Sequence, residues 1–306
     1  MTRRQLLQLG LTASATSVYA GVVEPRWFDV SHTVIPVKGL LRPIRVAHLA
    51  DLHSSPSVPS GLLQDAARLA LAQRPDLVLL TGDYISHTHT FDSRGLEQVF
   101  RRLSGDAPVF AVMGNHDGGS YAFDGQPSVL ARPYLVLAAQ GARGTGEWFK
   151  SSGPVREILL RGGVRVLHNE SVLWQGGGQT LQLAGVGDFW VRGEFHPELA
   201  FQGAHSNLPT VVLSHNPDSK VLLRPFAWDL MLCGHTHGGQ VVPPFVHPHW
   251  MPVQDKRYVA GLYEWERRQL YITRGVGSPF YRGFAVRFAC RPEISILELV
   301  PPFELS

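Results

Sequence analysis

Carboxylates, imidazoles and one amide recur in five short clusters along this chain. They are Asp51-Leu52-His53, Gly82-Asp83, Gly114-Asn115-His116-Asp117, Ser214-His215-Asn216 and Gly234-His235-Thr236-His237-Gly238-Gly239-Gln240. Oxygen and nitrogen donors of this kind, with no thiolate among them, suit a borderline divalent metal such as Mn, Fe or Zn rather than a structural zinc knuckle. The donors outnumber the positions of a single tetrahedral ion and are enough for two. A carboxylate shared between two ions holds them ~3.5–4 Å apart, the spacing of sites that activate water and clamp a phosphoryl group. Taken singly, each His or Asp reads as an ordinary loop or core residue; the five clusters together read as one site.

Each cluster follows an apolar run that looks like a strand buried on both faces: Ile44 to Ala50, Leu77 to Thr81, Val109 to Met113, Thr210 to Ser214 and Leu230 to Cys233. Leu62, Leu63, Ala66, Leu69 and Ala70 recur at helical spacing before Pro75, and Leu96, Val99, Phe100 and Leu103 do so before the third run. Strand, helix, strand, with polar residues just past the carboxyl ends, is where open α/β sheets place their ligands. Val155 to Arg161 reads as a further helix ended by Gly162-Gly163. Val164 to Leu167, Leu181 to Val186, Leu270 to Thr273 and Ile294 to Leu299 read as strands of a second sheet. No Gly-x-Ser-x-Gly elbow and no Gly-x-x-x-x-Gly-Lys-Ser/Thr loop occurs, which argues against a serine hydrolase and a P-loop nucleotide site.

The series Asp-x-His, Gly-Asp, Gly-Asn-His-Asp, His and Gly-His-x-His resembles the signature of calcineurin-like metallophosphoesterases, and the resemblance spans Arg45 to Gln240. His215 to Lys220, Trp228 to Gln240, Asp255 to Leu262 and Thr273 to Gly277 look like the bacterial YaeI-type phosphodiesterases, relatives of enzymes that cleave UDP-2,3-diacylglucosamine. The resemblance implies an α/β fold, a four-layer α/β/β/α sandwich of two mixed sheets. It implies a binuclear site in which Asp51, His53 and His237 hold one ion, Asn115, His215 and His235 hold the other, and Asp83 bridges them. It further implies that a bridging hydroxide attacks phosphorus, that His116 stabilises charge and protonates the leaving oxygen, and that Asp117 orients the His116 ring. The substrate class would be a phosphodiester or pyrophosphate, lipid-linked or a nucleotide sugar. A phosphomonoesterase and a non-catalytic metal-binding envelope protein are the alternatives.

Outside the clusters, residues 1–20 resemble a twin-arginine signal: Thr2-Arg3-Arg4-Gln5-Leu6-Leu7-Gln8, a short apolar stretch from Leu9, and Val18-Tyr19-Ala20 as a cleavage site. Twin-arginine export machinery would then be a partner, and the protein would be periplasmic or associated with the membrane of the cell envelope, the alternative being cytoplasmic. Without Arg3 and Arg4 the 28 Lys and Arg fall to 26 against 25 acids, and net charge drops from +3 to +1. That near balance gives no basic patch for nucleic acid. The remainder, 21–306, reads as a single domain with a cap insertion over 118–152, carrying a helix over Ser128 to Ala139, and an apolar rim loop over 241–256. The rim loop carries His247 and His249 in a proline-rich run, and is a candidate for substrate or peripheral membrane contact. His87 and His89 read as solvated loop residues. Cys233 and Cys290 read as buried free thiols.

Overall fold

Residues that alternate along each central strand go to opposite layers, and this explains why the strands read as unbroken apolar runs. The computed structural model describes residues 5, 14–86, 91–118, 152–191, 193–248, 250–279 and 285–302. In β2 (Ile44–Leu49), β3 (Leu77–Thr81) and β4 (Val109–Val112), Val46, Leu77, Leu79 and Val112 face a second sheet. Ala47, Val78, Leu80 and Ala111 face helices instead. Those helices are α1 (Ser60–Ala72), α2 (Ser93–Asp106) and α3 (Gly153–Arg161). α1 buries Leu63, Ala66, Ala67 and Ala70, the i, i+3, i+4, i+7 stripe of an amphipathic helix. Asp92 caps α2, its side chain accepting from the Gly95 amide at 2.9 Å. Pro154 opens α3 in the first turn, where a missing N–H costs nothing.

The first sheet has the order β1-β12-β2-β3-β4-β5, with β1 (Asp29–Pro36), β5 (Arg165–Val166) and β12 (Glu293–Val300) joining the three strands above. The second has the order β10-β11-β9-β8-β7-β6. Its members are β6 (Glu170–Gly176), β7 (Gln179–Gly185), β8 (Thr210–Leu213), β9 (Leu230–Cys233), β10 (Gly261–Trp265) and β11 (Arg268–Ile272). Both sheets are mixed: β2, β3, β4 and β5 run parallel, as do β7, β8, β9 and β11, while β12 is antiparallel to β2 and β6 to β7. Leu183, Val211, Leu213, Leu230 and Leu232 meet the inner face of the first sheet. The outer face of the second sheet is covered by the short helix α4 (Pro197–Ala200) and by turns carrying Leu223, Trp228 and Phe226. The architecture is the expected α/β pair of mixed sheets between helical layers, with the outer layer thinner on the second sheet.

Two expected strands change sheets. The sequence reading places Val164–Leu167 and Ile294–Leu299 in the second sheet, yet β5 pairs with β4 and β12 lies between β1 and β2 in the first. A strand buried on both faces announces burial but not its neighbour, so local pattern could not choose between sheets. The expected cap over 118–152, its helix, the twin-arginine motif, His87, His89 and His249 lie wholly or largely outside the described residues. Cys233 and Cys290 are buried and free, as expected. Among the described residues no helix is long and apolar enough to cross a membrane.

Leu80, wholly buried between β3 and the helices, tests this layering. Leu80→Ala should cost about 2–5 kcal/mol, read as a lowered denaturant midpoint with an unchanged slope. Leu160→Ala, on the exposed face of α3, should shift the midpoint by less than about 0.5 kcal/mol equivalent.

Candidate metal centre and its cavity

All five clusters leave their strands at the carboxyl edge, where the two sheets meet. The chain turns there through a backbone conformation that L-residues rarely adopt: φ is +54° at Asp51, +45° at His53, +58° at Asp83, +71° at His235 and +52° at His237. Each such residue costs of order 1–3 kcal/mol and persists only where its surroundings over-determine it. Here they do. The Asp51 amide donates to the Gly82 carbonyl at 2.9 Å and the His53 amide to the Asp83 carbonyl at 3.0 Å. The Asp51 carboxylate accepts from the His235 amide at 3.1 Å, joining the first sheet to the second. Gly82 and Gly114 lie back to back, since a Cβ on Gly82 would stand 2.6 Å from the Gly114 nitrogen. No larger residue fits between those turns.

Two groups of side chains result. Donor atoms of Asp51, His53 and His237 lie within 4.8 Å of one another, and so do those of Asp83, His215 and His235. His53 Nε2 is 3.1 Å from His237 Nε2, and His237 Nε2 is 3.4 Å from Asp51 Oδ1. Asp83 Oδ2 joins the groups, 3.1 Å from His215 Nε2 and 3.6 Å from His53 Nε2. Asn115 is buried beside Asp83 at the edge of the same cavity. Every ligand expected from the sequence is therefore at this one place.

The orientation of the imidazoles suits cations. His215 Nδ1 faces the Thr81 carbonyl at 2.7 Å and His235 Nε2 faces the Pro252 carbonyl at 2.9 Å. A carbonyl only accepts, so each of these nitrogens carries its proton there. The opposite nitrogens, His215 Nε2 and His235 Nδ1, then point at each other at 3.1 Å. Two imidazoles so arranged, with buried carboxylates beside them, need positive charge between them. Burial drives His53 and His237 well below their ordinary pKa and His235 to about 3, so all three are neutral donors. Burial would lower His215 too, but Asp83 outweighs it and raises the ring to about 10. Burial raises Asp51 to about 7. Burial likewise opposes ionisation of Asp83, yet His215, His116 and His53 hold it well below the usual carboxylate range.

His116 stands at the cavity beside the first group, its ring edge-on to His53 with centroids 4.9 Å apart. Its amide donates to Asp83 Oδ1 at 2.8 Å and its Nδ1 faces the Ser86 carbonyl at 3.2 Å. Asp117 spends its carboxylate on three backbone amides, those of Gly114 at 2.7 Å, Tyr84 at 2.7 Å and Asp83 at 2.9 Å. It thereby shapes the turns that carry Asp83 and His116.

Two residues not singled out from the sequence belong to this centre. Asp188, just past β7, is a further buried acid, raised to about 6 by burial, whose Oδ1 accepts from the Trp190 amide at 2.7 Å. Gly187-Asp188 after an apolar run repeats the Gly82-Asp83 pattern, and that was the available signal. Arg287 is buried, and its guanidinium donates to the carbonyls of Arg274 at 2.8 Å, Gly277 at 2.5 Å and Cys290 at 3.1 Å. The turn it gathers returns amides to the site, from Val276 to the Ala50 carbonyl at 2.9 Å and from Gly277 to the Asp51 carbonyl at 2.7 Å. Above the centre a cavity of about 410 Å³ is bounded by His116, Trp190, Trp250, Met251 and Pro252. Trp190 meets His235 edge-on with centroids 4.7 Å apart. Val241, Trp250, Met251 and Pro252, of residues 241–256, thus line this cavity.

Residues 44–239 match the family model described as calcineurin-like phosphoesterase. The chain is 39% identical over 304 residues to "Phosphodiesterase YaeI" of Escherichia coli strain K12, covering 98% of this chain and 100% of that protein. It is 28% identical to "UDP-2,3-diacylglucosamine pyrophosphatase LpxG" of Chlamydia muridarum, covering 92% of each chain. A third relative, an uncharacterized metallophosphoesterase YkuE of Bacillus subtilis, is 26% identical over 98% of both chains.

Cation binding must displace the protons that His215 and Asp51 carry, so it should release about one to two protons near pH 7 and strengthen as pH rises. Calorimetric titration of the metal-free protein with Mn²⁺ in buffers of different ionisation heat reads this directly; heats independent of buffer would contradict it.

Proposed function

The chain belongs to the calcineurin-like phosphoesterase family, and on that footing we propose that it hydrolyses phosphodiester or pyrophosphate bonds with two divalent ions held at the sheet edges. The observation that carries this reading is Asp83, placed between two donor groups with His116 beside it at the floor of a cavity. Asp51, His53 and His237 would hold one ion, Asn115, His215 and His235 the other, and Asp83 both. Nitrogen and oxygen donors without thiolate favour Mn, Fe or Zn. When bound, such a pair supplies a water of lowered pKa and neutralises charge on the phosphoryl oxygens.

The chain's own residues do the rest. Asp83 Oδ1 holds the His116 amide and the Ser86 carbonyl receives Nδ1–H, so the ring is fixed with Nε2 as the atom that gives its proton to the leaving oxygen. Asp117 holds the turns on either side of Asp83 and so keeps His116 in register with the donors. Trp190, Met251 and Pro252 wall off water and accept the apolar part of a substrate. That wall, with relatives named as a phosphodiesterase and a diacylglucosamine pyrophosphatase, supports a lipid-linked or nucleotide-sugar substrate. The twin-arginine-like start at Arg3-Arg4 supports an exported protein of the cell envelope.

Hydrolysis of a chromogenic phosphodiester and of its monoester by chelator-stripped protein, with Mn²⁺ restored, tests the reading. Metal-dependent turnover favouring the diester is expected; turnover that survives without metal would refute it. His116→Ala should keep its metal by elemental analysis and lose about 10²–10⁴ in rate. Asp83→Ala should lose metal and rate together, and near-normal turnover in that variant would refute the shared-ligand role.

A further inference from the structure

The rim loop over 241–256, and Val259 just beyond it, are bonded to the same turns that carry the candidate ligand histidines. Trp250 Nε1 donates to the Gly239 carbonyl at 2.9 Å, and Thr236 Oγ1 donates to the Val259 carbonyl at 2.6 Å. Between them His235 Nε2 donates to the Pro252 carbonyl at 2.9 Å. This bond has a chemical consequence that the other two lack. A neutral imidazole has one N–H, so the Pro252 carbonyl decides which His235 nitrogen keeps a lone pair, and leaves that pair on Nδ1 facing His215. Moving Pro252 away would let the proton change sides.

Pro252 is held from the turn after β8, the strand that runs parallel beside β9 in the same sheet. Two residues on, the amides of Gln254 and Asp255 converge on one carboxylate, Asp218, at 2.6 Å to Oδ2 and 3.3 Å to Oδ1. Asp218 lies in the short 3-10 turn Pro217–Val221 that follows His215, and its own amide is pinned by Asn216 Oδ1 at 3.0 Å. Lys220, buried in that turn, sets its ammonium 3.8 Å from Asp218, 4.0 Å from Asp255 and 4.5 Å from the centre of the Tyr258 ring. One turn therefore carries a ligand of the second group, His215, and the anchor of the loop that sets the tautomer of its other histidine, His235.

We propose that Asp218 is a positioning residue for the second cation. By clamping residues 254 and 255 it keeps the Pro252 carbonyl on His235 Nε2 and so keeps Nδ1 available as a ligand. The same loop supplies Trp250, Met251 and Pro252 to the cavity wall, so pressure from a bound substrate on that wall reaches the second cation through one hydrogen bond. The inference rests on the two-cation reading above and adds to it a link between substrate wall and metal.

The test compares the full-length wild type with Asp218→Ala and Asp218→Asn, the latter keeping one acceptor oxygen. The double variant Asp218→Ala/Lys220→Met removes the buried ammonium with its partner, should either single variant melt early. Zn²⁺ is titrated in competition with a chromogenic chelator, and histidine tautomers are read by long-range ¹H–¹⁵N correlation in the metal-free protein. Wild type should take two ions and show His235 protonated at Nε2. The Asp218→Ala chains should keep the first ion within about twofold, bind the second about 10–100-fold more weakly, and show mixed His235 tautomers, with Asp218→Asn between. Two ions at wild-type affinity with an unchanged His235 signal would overturn the role of Asp218 and leave the two-cation reading standing. A wild type that takes fewer than two ions would overturn that reading, and the role of Asp218 with it.

Discussion

Everything at the sheet edge is arranged around the buried charge of Asp83. A carboxylate removed from water must be met by hydrogen bonds and opposite charge, and this one is met from both sheets. Oδ1 takes the His116 amide, and Oδ2 faces His215 from the second sheet and His53 from the first. The left-handed turn at Asp83 points the side chain into that position, and the Asp117 carboxylate holds the turn by its amides. Remove the demand for charge compensation at Asp83 and the strained turns at Asp51, His53, His235 and His237 lose their reason. The fold tolerates strain at these ligands because the ladders behind them are buried and complete.

The candidate donor set was legible in the sequence because its residues stand at strand ends, and strand ends are where apolar runs stop. Asp51, Asp83, Asn115, His215 and His235 each follow such a run within a few residues. What the sequence could not show was partnership. β12 reads as a buried strand in either sheet, and only the register with β1 and β2 places it. The role of Asp117 toward the His116 ring comes from the family resemblance, and the sequence by itself does not show where that carboxylate turns. It turns back to amides. Arg287 left only a faint trace, a charge inside the apolar run Ala285 to Cys290, because its partners are carbonyls and carbonyls have no residue code.

Support for the centre comes in two kinds. Near the donors it is backbone: Thr81 and Pro252 carbonyls fix the two rings of the second group, and the Ser86 carbonyl fixes His116. Farther out it is charge, in Arg287 behind Asp51 and Asp218 with Lys220 behind the rim loop. Backbone acceptors tolerate any side chain at their position, so tautomer control here is a property of chain path. The charged anchors hold that path in place.

β12 carries a consequence for how the protein is made. The last strand sits between β1 and β2, with Glu293 registered against Asp29 and Ser295 against His48. The two strands on either side of it come from the first sixth of the chain. Residues 293–300 must therefore be made before the first sheet can close, and until then β2, which ends just before Asp51, has β3 on one side and no strand on the other. Contacts of such long sequence separation form slowly. Until β12 arrives, β1 and β2 leave a gap one strand wide between them, a template for any extended segment that reaches it first.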